Sequence, residues 1–236
     1  LTYLGEFTRS QIAKPLSKAA RDAMIQIAPG IDTNKFKPIN AQDLRAQLGL
    51  QDKEVIVCVG RLVPRKGQDK LIKALPEILK SIPNAHLLFV GSGAFQFKLE
   101  KLINNLNLTN HVSFTGRVQY DDLTKFICVG DIFAMPSRSR FAGLEVEGLG
   151  IVYLEASACG LPVLGGDSGG APDAVLQGVT GIVVNGRDVS QIAAGAIKLL
   201  QSDRSAIGNA GRNWALEKWD WQIWAEKFVN LVRNQA

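Results

Sequence analysis

The sequence predicts an α/β fold, a parallel sheet with helices on both faces, and two patterns predict it. Short apolar runs, Val55 to Val59, His86 to Val90, Val112 to Phe114, Ile132 to Met135, Pro162 to Leu164 and Gly181 to Val184, alternate with amphipathic stretches. Runs that stay apolar along their whole length suit strands buried on both faces, which is what helical crossovers over a parallel sheet create. Glycines then stand where such strands end: Gly60 after the first run, Gly91 and Gly93 after the second, Gly116 after the third, Gly165 and Gly166 after the fifth. Sheets of this kind bind ligands beyond the carboxyl ends of their strands, so the glycine-bearing edge is where function is expected.

Tyr3 to Ala28 holds a strand and a helix outside this rhythm, and the turn-rich Ala28-Pro-Gly-Ile-Asp32 follows as a linker. The main domain is expected to begin near Ala41, which divides the chain into a leading piece, 1–40, and a ligand-binding unit, 41–236. Behind the first strand comes Gly60-Arg-Leu-Val-Pro-Arg-Lys66-Gly67, a basic loop at the ligand edge. The Arg61 fork and the Lys66 ammonium suit a diphosphate, although basic residues in such loops are often merely solvated. Gln68 to Lys80 is the clearest helix, because Leu71, Ile72, Leu75, Ile78 and Leu79 recur at helical spacing. Gly91-Ser-Gly93 starts like a dinucleotide fingerprint, but Gln96 stands where the third glycine belongs, against a dehydrogenase. Asp121 and Asp122 are adjacent and open a helix, which points to capping rather than to a metal pair.

The chemistry concentrates in Glu147-Gly-Leu-Gly-Ile-Val-Tyr-Leu-Glu155, expected as the first two turns of a helix. Eight helical steps of ~1.5 Å set the two carboxylates ~12 Å apart along the axis, at opposite ends of one extended ligand. Gly148 and Gly150 leave the first amides open, and these orphan donors with the positive end of the helix dipole favour a phosphate.

The remaining features have structural explanations. Trp214, Trp219, Trp221 and Trp224 crowd a predicted helix and suit packing. His86 and His111 sit at strand edges. Cys58, Cys128 and Cys159 lie in apolar runs as buried, reduced thiols, with no paired spacing for a metal. A composition of 46% hydrophobic and 21% charged residues describes a soluble domain, and the formal charge of +5 suits an anionic ligand or membrane surface. No basic tract interleaved with aromatics is present, which speaks against nucleic acid. No run is long enough for a membrane span, and the chain opens on Leu1 without a signal-peptide pattern, as a fragment of a longer protein would.

Taken in order, "VGRLVPRKGQDKLIKALP", "LLFVGSG", "VSFTGRV", "DIFAMPSRSR", "GLEVEGLGIVYLEASACGLPVL" and "GGAPDAVLQGVTGIVV" resemble the nucleotide-binding C-terminal half of a family 4 retaining glycosyltransferase of GT-B fold, from Val55 onward. The wording around Glu147 is most similar to bacterial phosphatidylinositol mannosyltransferases. The resemblance implies a Rossmann-like domain in which Arg61 and Lys66 contact the donor diphosphate, Glu147 the transferred sugar and Glu155 the ribose. It also implies that the Gly150, Ile151 and Val152 amides meet the distal phosphate, that Gly60 lies beside the nucleotide, and that Arg117 and Val118 meet the base. Arg61, Lys66 and Glu147 would form the catalytic set, with no metal and no cofactor. The implied donor is a nucleoside diphosphate sugar, GDP-mannose ahead of a UDP-sugar. At Asp173 the chain has a shorter carboxylate where the family often has Glu.

By the same resemblance, 1–40 is a remnant of an N-terminal acceptor domain plus linker, and the rest of that domain is a missing partner. A cytoplasmic protein is implied, with peripheral contact at the cytosolic membrane face. Departure of the nucleoside diphosphate would load charge onto cations and helix amides, and the leaving phosphate would deprotonate the acceptor on the same face. A glycosidase pair drawn from Glu145, Glu147 and Glu155 is disfavoured by the cations and glycine turns around them. Two functions stay open at this point: a hexosyltransferase, and a nucleotide-binding module that does not catalyse as an isolated chain.

Overall fold

The chain begins with a short parallel ladder, β1 (Thr2–Tyr3) on β2 (Ile25–Gln26), linked through helices α1 (Glu6–Ala13) and α2 (Lys18–Asp22). Helix α3 (Gln42–Gln47) leads into β3 (Glu54–Val59), α4 (Gln68–Ser81), β4 (Ala85–Val90), α5 (Gln96–Asn105), β5 (Val112–Gly116), α6 (Leu123–Cys128) and β6 (Ile132–Met135). Then follow α7 (Ile151–Ala158), β7 (Val163–Gly166), β8 (Gly181–Val184), α8 (Val189–Gln201), α9 (Arg204–Trp214) and α10 (Trp221–Arg233). This is a computed structural model, and it describes residues 1–233.

Strands β3 to β8 form one parallel sheet in the order β5-β4-β3-β6-β7-β8. From β3 the chain steps outward one way to β4 and β5, and later the other way from β6 to β7. Right-handed crossovers in opposite directions put α4 and α5 on one face and α6 and α7 on the other. Between β3 and β6 the order reverses, and the crevice beyond their carboxyl ends is where a doubly wound sheet receives a ligand. The expected strands Ile132 to Met135 and Gly181 to Val184 are observed with those bounds. Pro162 to Leu164 is displaced to Val163–Gly166, because the ladder to β8 runs through Gly165 and Gly166 and Pro162 has no N–H to donate. Gly165 and Gly166 therefore belong to the strand rather than to a loop after it.

Burial explains why these segments hold. Val55, Ile56 and Val57 on β3 and Leu87 and Phe89 on β4 are inaccessible to solvent, as are Leu71, Ile72, Leu75 and Ile78 on α4. Helix α4 packs on α8, and α7 packs on α9 in the other layer. Ala28, Ile31 and Phe36, which precede 41, are also part of this core. They are fastened there by backbone bonds from Ile31 N–H to Trp219 O (2.7 Å) and from Trp221 N–H to Ile31 O (2.8 Å). Arg212 adds a guanidinium that donates to the carbonyls of Thr33, Phe36 and Ala158.

The tryptophan cluster lies on two helices, not one. A π-turn, Ala215–Trp219, ends α9, and Asp220 leaves helical geometry before α10 begins. Trp219 is buried, edge-on to Trp214 at 5.6 Å and beside Trp224 at 5.9 Å, so packing accounts for these three rings. Among the described residues, no helix is long and apolar enough to cross a membrane.

Gly67 joins the loop after β3 to α4 in the left-handed region, φ +81°, where a Cβ would stand 2.0 Å from the Pro136 carbonyl oxygen. Substitution Gly67→Ala is expected to cost more than about 2 kcal/mol, left-handed strain and a backbone collision acting together. Urea unfolding of the variant and its parent measures this directly; equal midpoints and slopes would contradict it.

Candidate functional site

After β3 the backbone turns at Gly60, passes Arg61 and tightens into a 3-10 turn, Pro64–Lys66, before Gly67 releases it into α4. This turn rotates two neighbouring cations in one direction. Lys66 Nζ and Arg65 Nη1 each lie 2.7 Å from Glu147 Oε2, with all three side chains at most 16% exposed. The turn is pinned from behind: Arg138 N–H donates to Arg65 O at 2.8 Å, and the Arg138 guanidinium grips Asp69 at 2.8 and 3.0 Å. Arg61 stays exposed on the rim, its carbonyl accepting from Gln68 Nε2 at 3.1 Å.

The expectation of one helix carrying both carboxylates is corrected. Helix α7 begins at Ile151, with Gly150 as its N-cap in the left-handed conformation, so Glu147 precedes the helix in the loop. Helical rise therefore does not set the separation of Glu147 from Glu155. Main-chain bonds hold the loop instead: Glu147 N–H donates to Ser168 Oγ (3.1 Å), and Gly170 N–H donates to Glu147 O (2.8 Å). On α7, Tyr153 donates its hydroxyl to Met135 O at 2.6 Å, which ties the helix to the end of β6. Its N–H bonds back to Gly150 O at 2.9 Å, and the amides of Ile151 and Val152 come before that bond, free to receive an acceptor.

Glu155 lies one turn further along α7 and has no ion pair among the described residues. Burial pushes its carboxyl up to about 7, with Lys35 acting in the opposite sense.

A cleft of about 530 Å³ runs between these groups, and among the residues lining it are Gly60, Arg61, Lys66, Glu147, Gly150, Ile151, Val152 and Glu155. A second hollow of about 450 Å³ shares Val59, Gly60 and Arg61 with it and extends to Arg117 and Val118. All the residues selected from sequence thus border one or other of two adjoining hollows at the reversal of strand order. Among the lining residues not selected are Arg65, Leu4 and Pro29. Arg65 was visible as the neighbour of Lys66, but its inward direction depends on the 3-10 turn; Leu4 and Pro29 carried no chemical signal. Another cavity of about 380 Å³ lies between β8 and α8 with Lys198 as its one charged lining residue, and it has no comparable constellation.

Other expectations change in detail. Asp122 occupies the N-cap position of α6, but its side chain makes no cap bond; it pairs with Lys125 at 2.9 Å, and Asp121, in the 3-10 turn Tyr120–Asp122 that precedes the helix, pairs with Lys35 at 2.8 Å. Glu145 is bound to Arg140 at 2.8 Å. His86 is buried with Nε2 2.7 Å from Ser113 Oγ, and desolvation, aided by Lys53 and His111, pushes it down to about 4, so it is neutral at ordinary pH. Cys58 and Cys159 are buried, while Cys128, at the end of α6, is only half-buried. Among the described residues, no three His, Cys, Asp or Glu side chains converge as a metal site requires.

A family profile described as "Glycosyl transferases group 1" matches residues 40–214. The chain is 45% identical over 241 residues to a GDP-mannose-dependent alpha-(1-6)-phosphatidylinositol monomannoside mannosyltransferase of Mycolicibacterium smegmatis, which covers 100% of this chain and 62% of that protein. It is 42% identical to a GDP-mannose-dependent monoacylated alpha-(1-6)-phosphatidylinositol monomannoside mannosyltransferase of Corynebacterium glutamicum, with the same coverage of 100% and 62%. The chain thus spans 62% of the length of these relatives. Among solved structures it is similar to sucrose-phosphate synthase from Thermosynechococcus elongatus, TM-score 0.85 at 28% identity over 99% of this chain and 57% of that one. The Anabaena protein HepE, solved with UDP and glucose, has the same fold, TM-score 0.86 at 24% identity over 99% and 62%.

The isolated position of Glu155 has a measurable consequence. Its carboxyl carbon, observed by NMR with selective labelling, is expected to titrate near 7 instead of the usual carboxylate range. Lys35→Met is expected to move the midpoint higher. The folded form binds this proton more tightly than the unfolded chain, so the group's contribution to stability falls as pH rises from the ordinary Glu value toward 7. Glu155→Gln is expected to remove that part of the pH dependence of thermal unfolding; a midpoint in the ordinary range would refute the assignment.

Proposed function

The chain belongs to the group 1 glycosyl transferases, and on that premise we propose that it carries the donor site of an enzyme that moves a mannosyl group from GDP-mannose, with retention, to an inositol phospholipid. The observation that carries the reading is the Arg65–Glu147–Lys66 cluster set opposite the open amides of α7. As the bond from sugar to phosphate breaks, negative charge gathers on the distal phosphate. Lys66, Arg65, Arg61 and the amides of Ile151 and Val152 stabilise that charge, and because they are already in place they cost little reorganisation. Glu147, neutralised by two cations, accepts a hydrogen bond from the mannosyl group, and Glu155 accepts from the ribose hydroxyls. Arg117 and Val118 border the base. The leaving phosphate takes the acceptor's proton on the same face, since both cleft carboxylates are committed to hydrogen bonding.

The donor and acceptor follow the relatives' names, which specify GDP-mannose and phosphatidylinositol monomannoside. In this reading 1–40 belongs to an N-terminal acceptor domain and the linker from it, and 41–236 is the donor domain. The whole protein works at the cytosolic face of a membrane, and the isolated chain binds donor but transfers slowly.

Calorimetry with GDP, UDP, ADP and NAD tests the reading, with GDP expected to bind tightest. Lys66→Ala is expected to weaken GDP binding roughly 10- to 100-fold, the loss of one charge-assisted phosphate contact. Binding of NAD alone, or unchanged affinity in the Lys66 variant, would refute it. In the whole protein, Glu147→Gln is expected to lower kcat for transfer from GDP-mannose more than it lowers GDP affinity, because the carboxylate faces the sugar.

A further inference from the structure

The N-cap of helix α1 is Gly5, which has no side chain to cap the first turn; Thr8 Oγ1 accepts from the Leu4 and Gly5 amides and leaves the Phe7 amide to another partner. The Phe7 amide is satisfied from 166 positions away, by Asp173 Oδ2 at 3.1 Å. The Glu6 amide also lies within reach of that carboxylate. The approach is close: a Cβ on Gly5 would stand 2.4 Å from the same oxygen.

Asp173 sits in a 3-10 turn, Ala171–Ala174, whose two terminal alanines are fully buried, so its backbone has little room to shift. The residues leading into that turn hold the loop of Glu147, through Ser168 Oγ and the Gly170 amide. The other end of the connection reaches the cleft as well. Leu4, one residue before the N-cap Gly5, lines the same space as Lys66 and Glu147.

We infer that Asp173 is a positioning residue for transfer, a helix cap supplied across the molecule that ties the N-terminal segment to the loop presenting Glu147. The inference rests on the donor-site reading above. With the cap in place, the Leu4 side of the cleft and the Glu147 loop move as one body, so the sugar is held in one orientation and water is excluded from it. The groups proposed to bind the diphosphate and ribose, Arg61, Lys66 and Glu155, lie on the loop after β3 and on α7, neither of which bonds to Asp173, so they do not need the cap. The side-chain length has a role too: with the 3-10 turn fixed, the extra methylene of a glutamate would carry its oxygens past the Phe7 amide.

The experiment uses the whole protein with Asp173→Ala, Asp173→Asn, Asp173→Glu and Gly5→Ala. Three quantities are read: hydrogen exchange at the Phe7 amide, GDP affinity, and kcat with GDP-mannose. Asp173→Ala is expected to speed Phe7 exchange and lower kcat by about fivefold each, the strength of a helix cap, while GDP affinity holds. Asp173→Asn retains an acceptor oxygen and is expected to restore most of both; Asp173→Glu is not. Gly5→Ala is expected to reproduce the alanine variant, and the pair combined to lose no more than either alone. Unchanged Phe7 exchange in Asp173→Ala would overturn the inference, as would a loss of GDP affinity equal to the loss of kcat. If the parent protein transfers from no nucleotide sugar, the donor-site reading fails, and exchange at Phe7 still decides whether the cap exists.

Discussion

Lys66 and Arg65 reach Glu147 Oε2 from one side of the strand-order reversal, each at 2.7 Å, and that shared oxygen joins the loop after β3 to the loop after β6. The bond from Arg138 N–H to Arg65 O and the Arg138–Asp69 ion pair reinforce the same junction, and the cleft exists only while the two loops face each other. Two cations on one carboxylate leave a positive charge in excess in a largely buried place, where charge is costly to keep. An anionic ligand relieves that excess. The cluster is thus stable as a structure and keeps a net positive charge.

The fold supplies this arrangement without special strain in the strands. Parallel β3 and β6 end at the same edge, and their crossovers leave in opposite directions, so the two following loops meet over the gap. Gly67 and Gly150, both left-handed, then start α4 and α7 at the two margins of the cleft. The first brings Lys66 inward just before its helix begins, and the second leaves the first amides of α7 open. Cations on one wall and helix amides on the other give the same sign of field from two independent sources.

How much of this was legible in the sequence depends on whether a feature is local. The six strands of the sheet were visible within two residues at each end, because a buried strand writes itself as an apolar run. Lys66, Glu147 and Glu155 were visible because charge in a glycine-rich loop at a strand end is a local pattern. Arg65 was not, since which of two adjacent cations turns inward is decided by a 3-10 turn and by Arg138, which is 73 positions from it in sequence. The start of α7 was misplaced for a similar reason. Gly148 and Gly150 allow either an early or a late helix, and the bonds from Ser168 and Gly170 select the late one. The link from Asp173 to α1 spans the chain and leaves no trace in either segment.

Glu147 and Glu155 show how one motif yields two chemistries. Both are glutamates facing one cleft, yet the first has two cations on a single oxygen, and the second has burial pushing its carboxyl up to about 7. A carboxylate held by two cations has its charge compensated before any ligand arrives, so it can meet a neutral hydroxyl without a large change in field. An uncompensated, desolvated carboxylate instead gains most from groups that donate hydrogen bonds to it, and two adjacent hydroxyls are such groups. The difference comes from their neighbours on other elements: the 3-10 turn after β3 for Glu147, and Lys35, which precedes the sheet, for Glu155. Spacing along the chain brings the two acids to one cleft. Their different electrostatics are set by what the fold packs beside each of them.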